Sequence, residues 1–175
     1  CRQRGLTVRF DVAPAVAEIE TDPKLLSLIL RNLVDNATKY AFEGTEILVR
    51  AAPVESPPSG DGVATVRLEV IDRGQGIPLA LQERVFERFY QVDPARTGPA
   101  SRRGTGLGLS IVKHAVKALG GRVGLESTWG EGTRVWVTGN SFIRRYDGAT
   151  WTSHVNPGGE AFAGTSISVA GTDDV

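Results

Sequence analysis

The sequence predicts an α/β fold, because two amphipathic helical segments are interspersed with β-rich runs that are joined by turn signals. Apolar residues recur at helical spacing over residues 23–40 and again over residues 107–119. The β-rich runs span residues 6–12, 45–50, 63–71, 122–127 and 133–137. With 175 residues, the chain is long enough for one domain with a full core and a small appendage.

Composition narrows the range of functions. Twenty basic and twenty acidic side chains cancel, so the net charge does not indicate nucleic-acid binding or an anionic membrane surface. Cys1 is the single cysteine, which excludes an internal disulfide. No apolar run approaches membrane-spanning length, and the N-terminus lacks the pattern of a signal peptide. Because the chain begins with Cys1 and has no methionine, we expect a fragment of a longer protein.

The first half of the chain carries clear start and stop signals. Asp22 is a good N-cap and Pro23 suits the first helical position, so we expect the first helix to begin there. Residues 54–62 are rich in Pro, Ser and Gly and predict a hairpin loop between the runs 45–50 and 63–71.

The second half combines short elements with one long polar segment. Residues 79–86 predict a short helix, and residues 91–103, with two prolines, three arginines and almost no apolar residues, predict a mobile loop. The helix 107–119 is expected to end at the glycine pair 120–121. A final hairpin is expected to turn at residues 130–132.

One edge of the first predicted helix is polar. At 100° per residue, Asn32, Asn36 and Lys39 fall together beside the apolar stripe. Mg²⁺ takes hard oxygen ligands and keeps several waters, so one amide oxygen together with phosphate oxygens suffices to hold it. Lys39 would act as a point charge on a phosphate. The alternative is an ordinary solvated helix face, and for this helix considered alone that alternative is the better one.

One acidic residue follows the third β-rich run. Residues 68–71 deliver Asp72 to the end of a strand, and Gly74 and Gly76 allow the chain to turn tightly after it. A carboxylate fixed there can accept a hydrogen bond from the exocyclic amine of adenine, whereas guanine has a carbonyl oxygen at that position and is repelled. The alternative is a common Asp-Xaa-Gly turn that closes a strand.

A glycine-rich loop, residues 104–108, precedes the second helix. Free backbone N–H groups and the helix dipole can meet a phosphate at such a place. Leu109 stands where a dinucleotide fingerprint has its third glycine, and no Gly-Lys-Ser/Thr follows, so neither that motif nor a P-loop fits. A connector without a ligand is the alternative. Together with the polar helix edge and the acid, the loop meets the requirements of an ATP site.

In this order and spacing, the motifs resemble those of the ATP-binding catalytic domain of sensor histidine kinases, in the superfamily that also holds gyrase, Hsp90 and MutL. The resemblance covers about residues 5–137. The motifs that resemble the N, G1, F and G2 boxes and the last glycine motif are Asn32–Tyr40, Asp72–Gly76, Phe86–Tyr90, Gly104–Gly108 and Gly130–Thr133. The resemblance implies the Bergerat-type fold, a two-layer α+β sandwich whose mixed, mostly antiparallel sheet is covered by helices on one face.

The resemblance also implies the roles of the site residues. Asn36 would ligate Mg²⁺, Asp72 would read adenine and Thr133 would help to bind it. Residues 91–103 would form a lid, from which Arg102 or Arg103 would reach the phosphates on closure, with a solvated charged loop as the equal alternative. The nucleotide-binding set implied in this way is Asn32, Asn36, Lys39, Tyr40, Asp72, Gly74, Gly76, Ile77, Arg102, Arg103, Gly104, Thr105, Gly106, Leu107, Gly108 and Thr133.

The resemblance further implies phosphoryl transfer rather than hydrolysis. Hydrolysing relatives carry a glutamate one helical turn before the metal-binding asparagine, whereas this chain has Asn32, which cannot take a proton. Asp35 is predicted to point away from the cleft. No catalytic residue is assigned, because the phosphoacceptor histidine of the kinases lies on a separate dimerisation domain. Neither His114, which is expected to face solvent, nor His154 precedes an acidic residue as that acceptor does.

The amino-acid composition of the chain changes near residue 138. Charge falls, small polar residues increase, and residues 138–152 weakly resemble a β-propeller or Kelch-like repeat. One such repeat cannot bury its own faces. We therefore expect a catalytic domain at residues 1–137 and an appendage without catalytic role at residues 138–175, which is a propeller fragment, a junction artefact or an added hairpin. Strand-like pieces lie at residues 141–146, 150–154 and 165–169.

These expectations combine into one functional hypothesis. The chain is expected to be an incomplete protein histidine kinase that binds ATP and Mg²⁺ and donates the γ-phosphate to a histidine on a dimerisation domain of the same homodimeric parent. A response regulator is the further expected partner, without nucleic acid or direct membrane contact, and the expected location is cytoplasmic even if the parent is membrane-anchored. The alternatives are an ATP-binding regulatory module without transfer, a serine kinase of the anti-sigma-factor type, and a propeller-type interaction protein.

Overall fold

The computed structural model describes residues 4–54, 65–92 and 104–139, together with the backbone of three short strands between residues 144 and 168. The strands are β1 Thr7–Val12, β2 Glu18–Glu20, β3 Glu46–Val54, β4 Thr65–Asp72, β5 Arg122–Thr128, β6 Gly132–Gly139, β7 Arg144–Tyr146, β8 Trp151–Ser153 and β9 Ser166–Ser168. The α-helices are α1 Pro23–Tyr40 and α2 Gly108–Ala118, and short 3-10 helices occur at Pro14–Val16, Leu79–Leu81 and Arg84–Phe86.

Five strands form the main sheet in the order β1-β3-β4-β6-β5. The pair β1 and β3 is parallel, and the other pairs are antiparallel. The register places Asp72 at the end of β4 opposite Thr133 of β6. The predicted α/β class and the mixed, mostly antiparallel sheet are therefore confirmed.

The two helices pack against each other and cover one face of this sheet. Ile29 and Leu33 of α1 and Val112 of α2 are almost completely buried, together with Val70 and Val135 of the sheet. Burial of each such side chain contributes about 2 kcal/mol, so this layer fixes α1 relative to β4. None of the described helices is long and apolar enough to span a membrane.

Both ends of α1 are fixed by side chains. The Asp22 carboxylate accepts hydrogen bonds from the backbone N–H groups of Lys24 and Leu25 at 2.7 and 3.1 Å, as the predicted N-cap requires. At the other end, the Arg4 guanidinium donates to the carbonyl oxygens of Thr38 and Ala41, each at 2.7 Å. The sequence did not predict this second cap, which holds the end of α1 that carries the polar edge.

Two predicted elements differ from the structure. The segment 79–86 forms two 3-10 turns instead of one short helix. Val85 is buried, whereas Leu79 remains 84% exposed. Strand β3 continues to Val54 through Pro53. Proline is tolerated there because β1 pairs only as far as Ala51, which leaves Pro53 with a neighbouring strand on one side. The rest of the predicted loop 54–62 lies outside the described residues.

Residues 138 and 139 still belong to the main sheet. Strand β6 extends to Gly139, and Thr138 lies opposite both Arg67 of β4 and Arg122 of β5. The sheet thus extends two residues past the expected domain boundary. Of the predicted tail strands, β7 pairs with β8, and β9 pairs with β2, a strand that the sequence did not predict. The remaining tail residues, Phe142 among them, lie outside the described part of the chain.

Candidate nucleotide site

A cavity of about 690 Å³ opens between α1, the turn after β4, the segment after Arg84–Phe86 and the start of α2. This size is typical of small-molecule sites. The predicted residues that line it are Asn32, Asn36, Lys39, Tyr40, Asp72, Gly76, Ile77, Gly104, Thr105, Gly106, Leu107, Gly108 and Thr133. Gly74 does not line it, and Arg102 and Arg103 lie outside the described residues.

Asp72 provides the most specific feature of the cavity. Its Oδ1 atom is buried and has no hydrogen-bond partner among the described residues. Burial raises the pKa of the Asp72 carboxyl to about 6, while a hydrogen bond from the Thr133 backbone acts in the opposite direction. A buried carboxylate oxygen without a donor is costly. The site therefore suits a ligand that presents an N–H group at this position.

The turn after Asp72 depends on two glycines in different ways. A Cβ added to Gly74 would lie 2.3 Å from the carbonyl oxygen of Tyr40, so Gly74 allows the turn to pack against the end of α1. The same Cβ would lie 2.8 Å from Oδ1 of Asp72, so the turn packs against both the helix end and the Asp72 carboxylate. Gly74 does not line the cavity, and its role in ligand binding stays a prediction. Gly76 has a φ of 71°, and an added Cβ would lie 2.0 Å from the Thr128 carbonyl oxygen. Only glycine fits either position.

A hydrogen-bonded cluster that the sequence did not predict supports the end of the cavity that contains Asp72 and Thr133, called the base-proximal end because the resemblance implies adenine there. The Ser127 hydroxyl accepts from the Ile77 N–H at 2.8 Å and lies 2.9 Å from the Thr133 hydroxyl. The Gln82 side-chain amide donates to the carbonyl oxygens of Ile77 and Ser127 at 2.9 and 2.7 Å. These residues are up to 56 positions apart (from Ile77 to Thr133) in the sequence, and only the strand register brings them together.

The polar edge of α1 meets the start of α2. A Cβ added to Gly108 would lie 3.3 Å from Nδ2 of Asn36 and 3.4 Å from Oδ1 of Asn32. The glycine thus lets both amides approach the α2 backbone. The Asn32 amide donates to the Leu28 carbonyl at 2.8 Å, which orients its side chain. Lys39 is exposed at the same edge, so amide and ammonium groups lie where the sequence predicted them.

Asp35 also lines the cavity, so the prediction that it points away from the cleft is wrong. That prediction rested on its separation of about 100° from Asn36. Around the same helix, however, Asp35 lies only about 40° from Lys39 and about 60° from Asn32. Its side chain is exposed, which places it on the solvent side of the opening.

The glycine loop offers backbone donors to the cavity. Its helix, α2, begins at Gly108, and the N-cap Leu107 provides no side-chain acceptor for the first N–H groups. Such unpaired N–H groups at a helix N-terminus attract anions. A Cβ added to Gly104 would lie 4.0 Å from the Tyr40 hydroxyl. Tyr40 is 42% exposed, and its partial burial raises the pKa of the hydroxyl.

The residues that follow the 3-10 helix Arg84–Phe86 hold the glycine loop in place. The Phe89 N–H donates to the Gly106 carbonyl at 2.8 Å, and the Gln91 side chain donates to the Gly104 carbonyl at 2.6 Å. Phe89 has a φ of 64°, the only positive value for a non-glycine residue in the described part of the chain. Gly106, with a φ of 69°, would place a Cβ 2.6 Å from the Phe89 carbonyl carbon. The two left-handed residues therefore pack closely against each other, which the sequence alone did not indicate.

His114 does not contribute to the cavity wall. It is exposed on α2, as predicted, and its Nδ1 atom lies 2.7 Å from the Ser110 carbonyl oxygen. His154 lies outside the described residues. Among the described residues, no histidine is therefore placed to accept a group from a ligand in the cavity.

Several other cavity residues had no distinctive sequence signal. Phe42 and Trp129 line the opening and are about half exposed. Arg4 lines it too, next to the helix end that it caps. Aromatic residues in loops are common, and nothing in their spacing sets these apart before the fold is known.

Comparisons with known proteins identify the family of this domain. Residues 21–140 match the family described as histidine kinase-, DNA gyrase B- and HSP90-like ATPase. The sensor histidine kinase AruS of Pseudomonas aeruginosa is 43% identical over 129 residues, which are 73% of this chain and 12% of AruS. The sensor protein IrlS of Burkholderia pseudomallei is 40% identical over 121 residues, 69% of this chain and 24% of IrlS. The chain thus spans less than a third of these relatives.

Solved structures give the same result for the fold. Full-length ShkA in complex with AMPPNP has a TM-score of 0.66 at 30% identity, covering 81% of this chain and 27% of ShkA. The mycobacterial sensor histidine kinase MprB has a TM-score of 0.62 at 26% identity, covering 83% of this chain and 87% of that chain. The order of motifs, the sheet and these matches agree: the chain belongs to the family of histidine kinase-, DNA gyrase B- and HSP90-like ATPases.

Proposed function

We propose that this chain is the ATP-binding catalytic domain of a two-component sensor histidine kinase, which donates the γ-phosphate of ATP to a histidine on a separate dimerisation domain. The observation that carries the proposal is the buried, unpartnered Oδ1 of Asp72 inside a cavity that the other motifs line. The similarity to sensor histidine kinases, and to ShkA, which was solved in complex with AMPPNP, supports it.

The base is selected at Asp72. The exocyclic amine of adenine supplies the N–H group that Oδ1 lacks and removes the cost of burying that oxygen. A guanine would place a carbonyl oxygen against the carboxylate, and the two acceptors would repel each other. The same contact favours the ionised carboxylate, so nucleotide binding and proton binding at Asp72 compete.

Asn36 fits the role of a magnesium ligand. Its amide lies in the cavity against the first residue of α2, and an amide oxygen is a suitable hard donor. No group of three or more His, Cys, Asp or Glu side chains able to hold a metal occurs in the described part of the chain. The remaining ligands would therefore come from the nucleotide phosphates and water. Bound Mg²⁺ would neutralise charge on those phosphates.

The chain contributes mainly by positioning. The N–H groups at the start of α2 and the Lys39 ammonium would hold the phosphates, and Tyr40 lies beside the glycine loop. In the transfer, the bond from the γ-phosphorus to the bridging oxygen breaks, a P–N bond forms to the acceptor imidazole, ADP leaves and the imidazole gives up its N–H proton. Asn32 cannot activate water, so hydrolysis without the acceptor is expected to be slow.

The partners follow from this chemistry. The acceptor would lie on a dimerisation domain of the same parent, which we propose to be a homodimer, and a response regulator would take the phosphoryl group from that histidine. Because ATP and response regulators are cytoplasmic, we propose the same location for this domain.

We further propose that residues 138–175 form an appendage without catalytic role. The family match ends at residue 140, and the described tail strands β7, β8 and β9 contribute no residue to the cavity wall. The pairing of β7 with β8 and of β9 with β2 supports an added hairpin. The weaker resemblance to propeller repeats receives no support from the family and structure comparisons, and this proposal does not depend on it.

The test is a transfer assay with ATP labelled on the γ-phosphate. The chain is fused behind a histidine-bearing dimerisation domain, and we expect acid-labile label on that domain. Replacing the acceptor histidine by glutamine should remove the label, and Asp72→Asn should reduce it strongly. Binding of ATP without any label on the histidine would contradict a kinase and support a regulatory module instead.

A further inference from the structure

We propose that Ser127 is a positioning residue for base selectivity, because it fixes the Thr133 hydroxyl as a hydrogen-bond acceptor towards the cavity. The inference deepens the proposed ATP site and rests on it. Thr133 lines the cavity, whereas Ser127 does not. Ser127 would thus act on the base only through its neighbour.

The direction of the hydrogen bonds follows from counting protons. The Ser127 Oγ atom lies 2.8 Å from the Ile77 nitrogen, 2.8 Å from the Gly132 carbonyl oxygen and 2.9 Å from the Thr133 hydroxyl. A serine hydroxyl has one proton and two lone pairs. The Ile77 N–H can only donate and the Gly132 carbonyl can only accept, so the serine proton is directed to Gly132. The contact with Thr133 is then a hydrogen bond that threonine donates.

This arrangement decides what Thr133 can offer a ligand. Its proton is directed at Ser127 on the neighbouring strand, so only lone pairs of its oxygen are available to the cavity. Thr133 is the cross-strand neighbour of both Asp72 and Ser127. The base-proximal end thus presents two acceptors side by side, the Asp72 carboxylate and the Thr133 hydroxyl oxygen. Two acceptors suit a 6-aminopurine, whose amine has two N–H groups, and oppose the carbonyl oxygen of a 6-oxopurine.

Ser127 is itself held so that this direction persists. The Gln82 side chain bridges the backbone carbonyl groups of Ser127 and Ile77 at 2.7 and 2.9 Å. The strand pairing of β5 with β6 fixes Ser127 against Thr133. The cluster therefore leaves the serine hydroxyl little freedom to exchange its donor and acceptor roles.

The experiment compares the affinities of ATP and inosine triphosphate by calorimetric titration with Mg²⁺, for the full chain and four variants. The variants are Ser127→Ala, Ser127→Thr, Thr133→Val and the double variant Ser127→Ala with Thr133→Val. We expect the wild type to prefer ATP. In Ser127→Ala the released Thr133 hydroxyl can rotate and donate to the 6-oxo group, so the preference should fall about tenfold, the equivalent of one hydrogen bond.

The other variants separate this effect from loss of structure. Ser127→Thr keeps the hydroxyl and should keep the wild-type preference. Thr133→Val should lower the preference, and adding Ser127→Ala to it should change the preference no further, because Ser127 acts through Thr133. Ser127→Ala also removes the acceptor of the Ile77 N–H, and if that loss alone changed the preference, the double variant would differ from Thr133→Val.

Two failures have different meanings. If the wild type binds neither nucleotide, the proposed ATP site is wrong. If the wild type binds ATP but Ser127→Ala has the same preference for ATP over inosine triphosphate, only the inference about Ser127 is overturned. If Ser127→Ala does not fold, an unchanged preference in Thr133→Val overturns it instead.

Discussion

The two ends of the cavity are built in different ways. At the base-proximal end, Asp72 and Thr133 lie on adjacent strands, and a cluster of hydrogen bonds around Ser127 holds the turn beside them. At the opposite end, where we propose that the phosphates bind, the glycine loop provides backbone N–H groups and Lys39 adds an exposed ammonium group. One end therefore depends on a few half-buried side chains held by hydrogen bonds, and the other on backbone donors and an exposed charge.

This difference indicates that the two ends contribute differently to the affinity for the nucleotide and to the selectivity for its base. A buried acceptor is expensive when unpaired, so the base-proximal end distinguishes sharply between a donor and an acceptor on the base. Exposed charges are screened by water and salt, and each contributes modestly. Substitutions at the two ends should consequently differ in size and in which part of the nucleotide they affect.

The largest effect is expected from Gly76→Ala, compared with Gly44→Ala. Both glycines have positive φ values, 71° and 74°, but an added Cβ would lie 2.0 Å from the Thr128 carbonyl oxygen at Gly76 and would meet nothing within 4 Å at Gly44. We expect Gly76→Ala to lower the free energy of unfolding by about 3 kcal/mol or more and Gly44→Ala by about 1 kcal/mol. Urea denaturation measures both, and equal losses would show that backbone conformation alone, not close packing of the turn, sets the requirement.

A smaller effect is expected from Lys39→Ala. Removal of one exposed charge should weaken ATP binding roughly fivefold and should leave adenosine binding unchanged, because the base-proximal end is intact. Lys113, which is exposed on α2 outside the cavity, is the matched control, and its replacement by alanine should affect neither ligand. An equal loss for adenosine and ATP in Lys39→Ala would mean that the two ends are not independent.

A third effect concerns the pH dependence of stability. The pKa of Asp72 is raised to about 6 in the folded chain from 3.8, so between these values the folded state holds a proton that the unfolded state has lost. The free energy of unfolding of the ligand-free chain, relative to that of Asp72→Asn, should therefore decrease as pH rises from about 4 to about 6. Above about pH 6 this difference should stay constant. Denaturation at pH 5 and pH 7 measures this difference, and a stability that rises with pH only in the wild type would contradict the assigned pKa shift.

Features carried by local signals could be predicted from the sequence. Asp22 and Pro23 marked the start of α1, and the acid after a β-rich run marked the end of β4. Both signals depend on residues that lie close together in the sequence. The glycine loop likewise precedes α2 as its sequence indicated.

Features that depend on distant packing could not be predicted in this way. Ser127 and Gln82 contact Ile77 only because β5 and β6 adopt their particular register. The left-handed Phe89 donates a hydrogen bond to Gly106 of a separate loop, and the position of Asp35 relative to the cavity depends on how far the opening extends around α1. Sequence periodicity gives the direction of a side chain from its helix but not the width of the cavity in front of it.

The most direct test of the account is a calorimetric titration of ATP with Mg²⁺ into the wild type, Asp72→Asn and Asp35→Asn. Asp72 and Asp35 are both acidic cavity residues, but only Asp72 is assigned to the base. We expect the wild type to bind, Asp72→Asn to lose about 100-fold in affinity, and Asp35→Asn to change by less than about threefold. Equal affinities for the wild type and a folded Asp72→Asn would contradict the claim that this buried carboxylate reads the adenine amine.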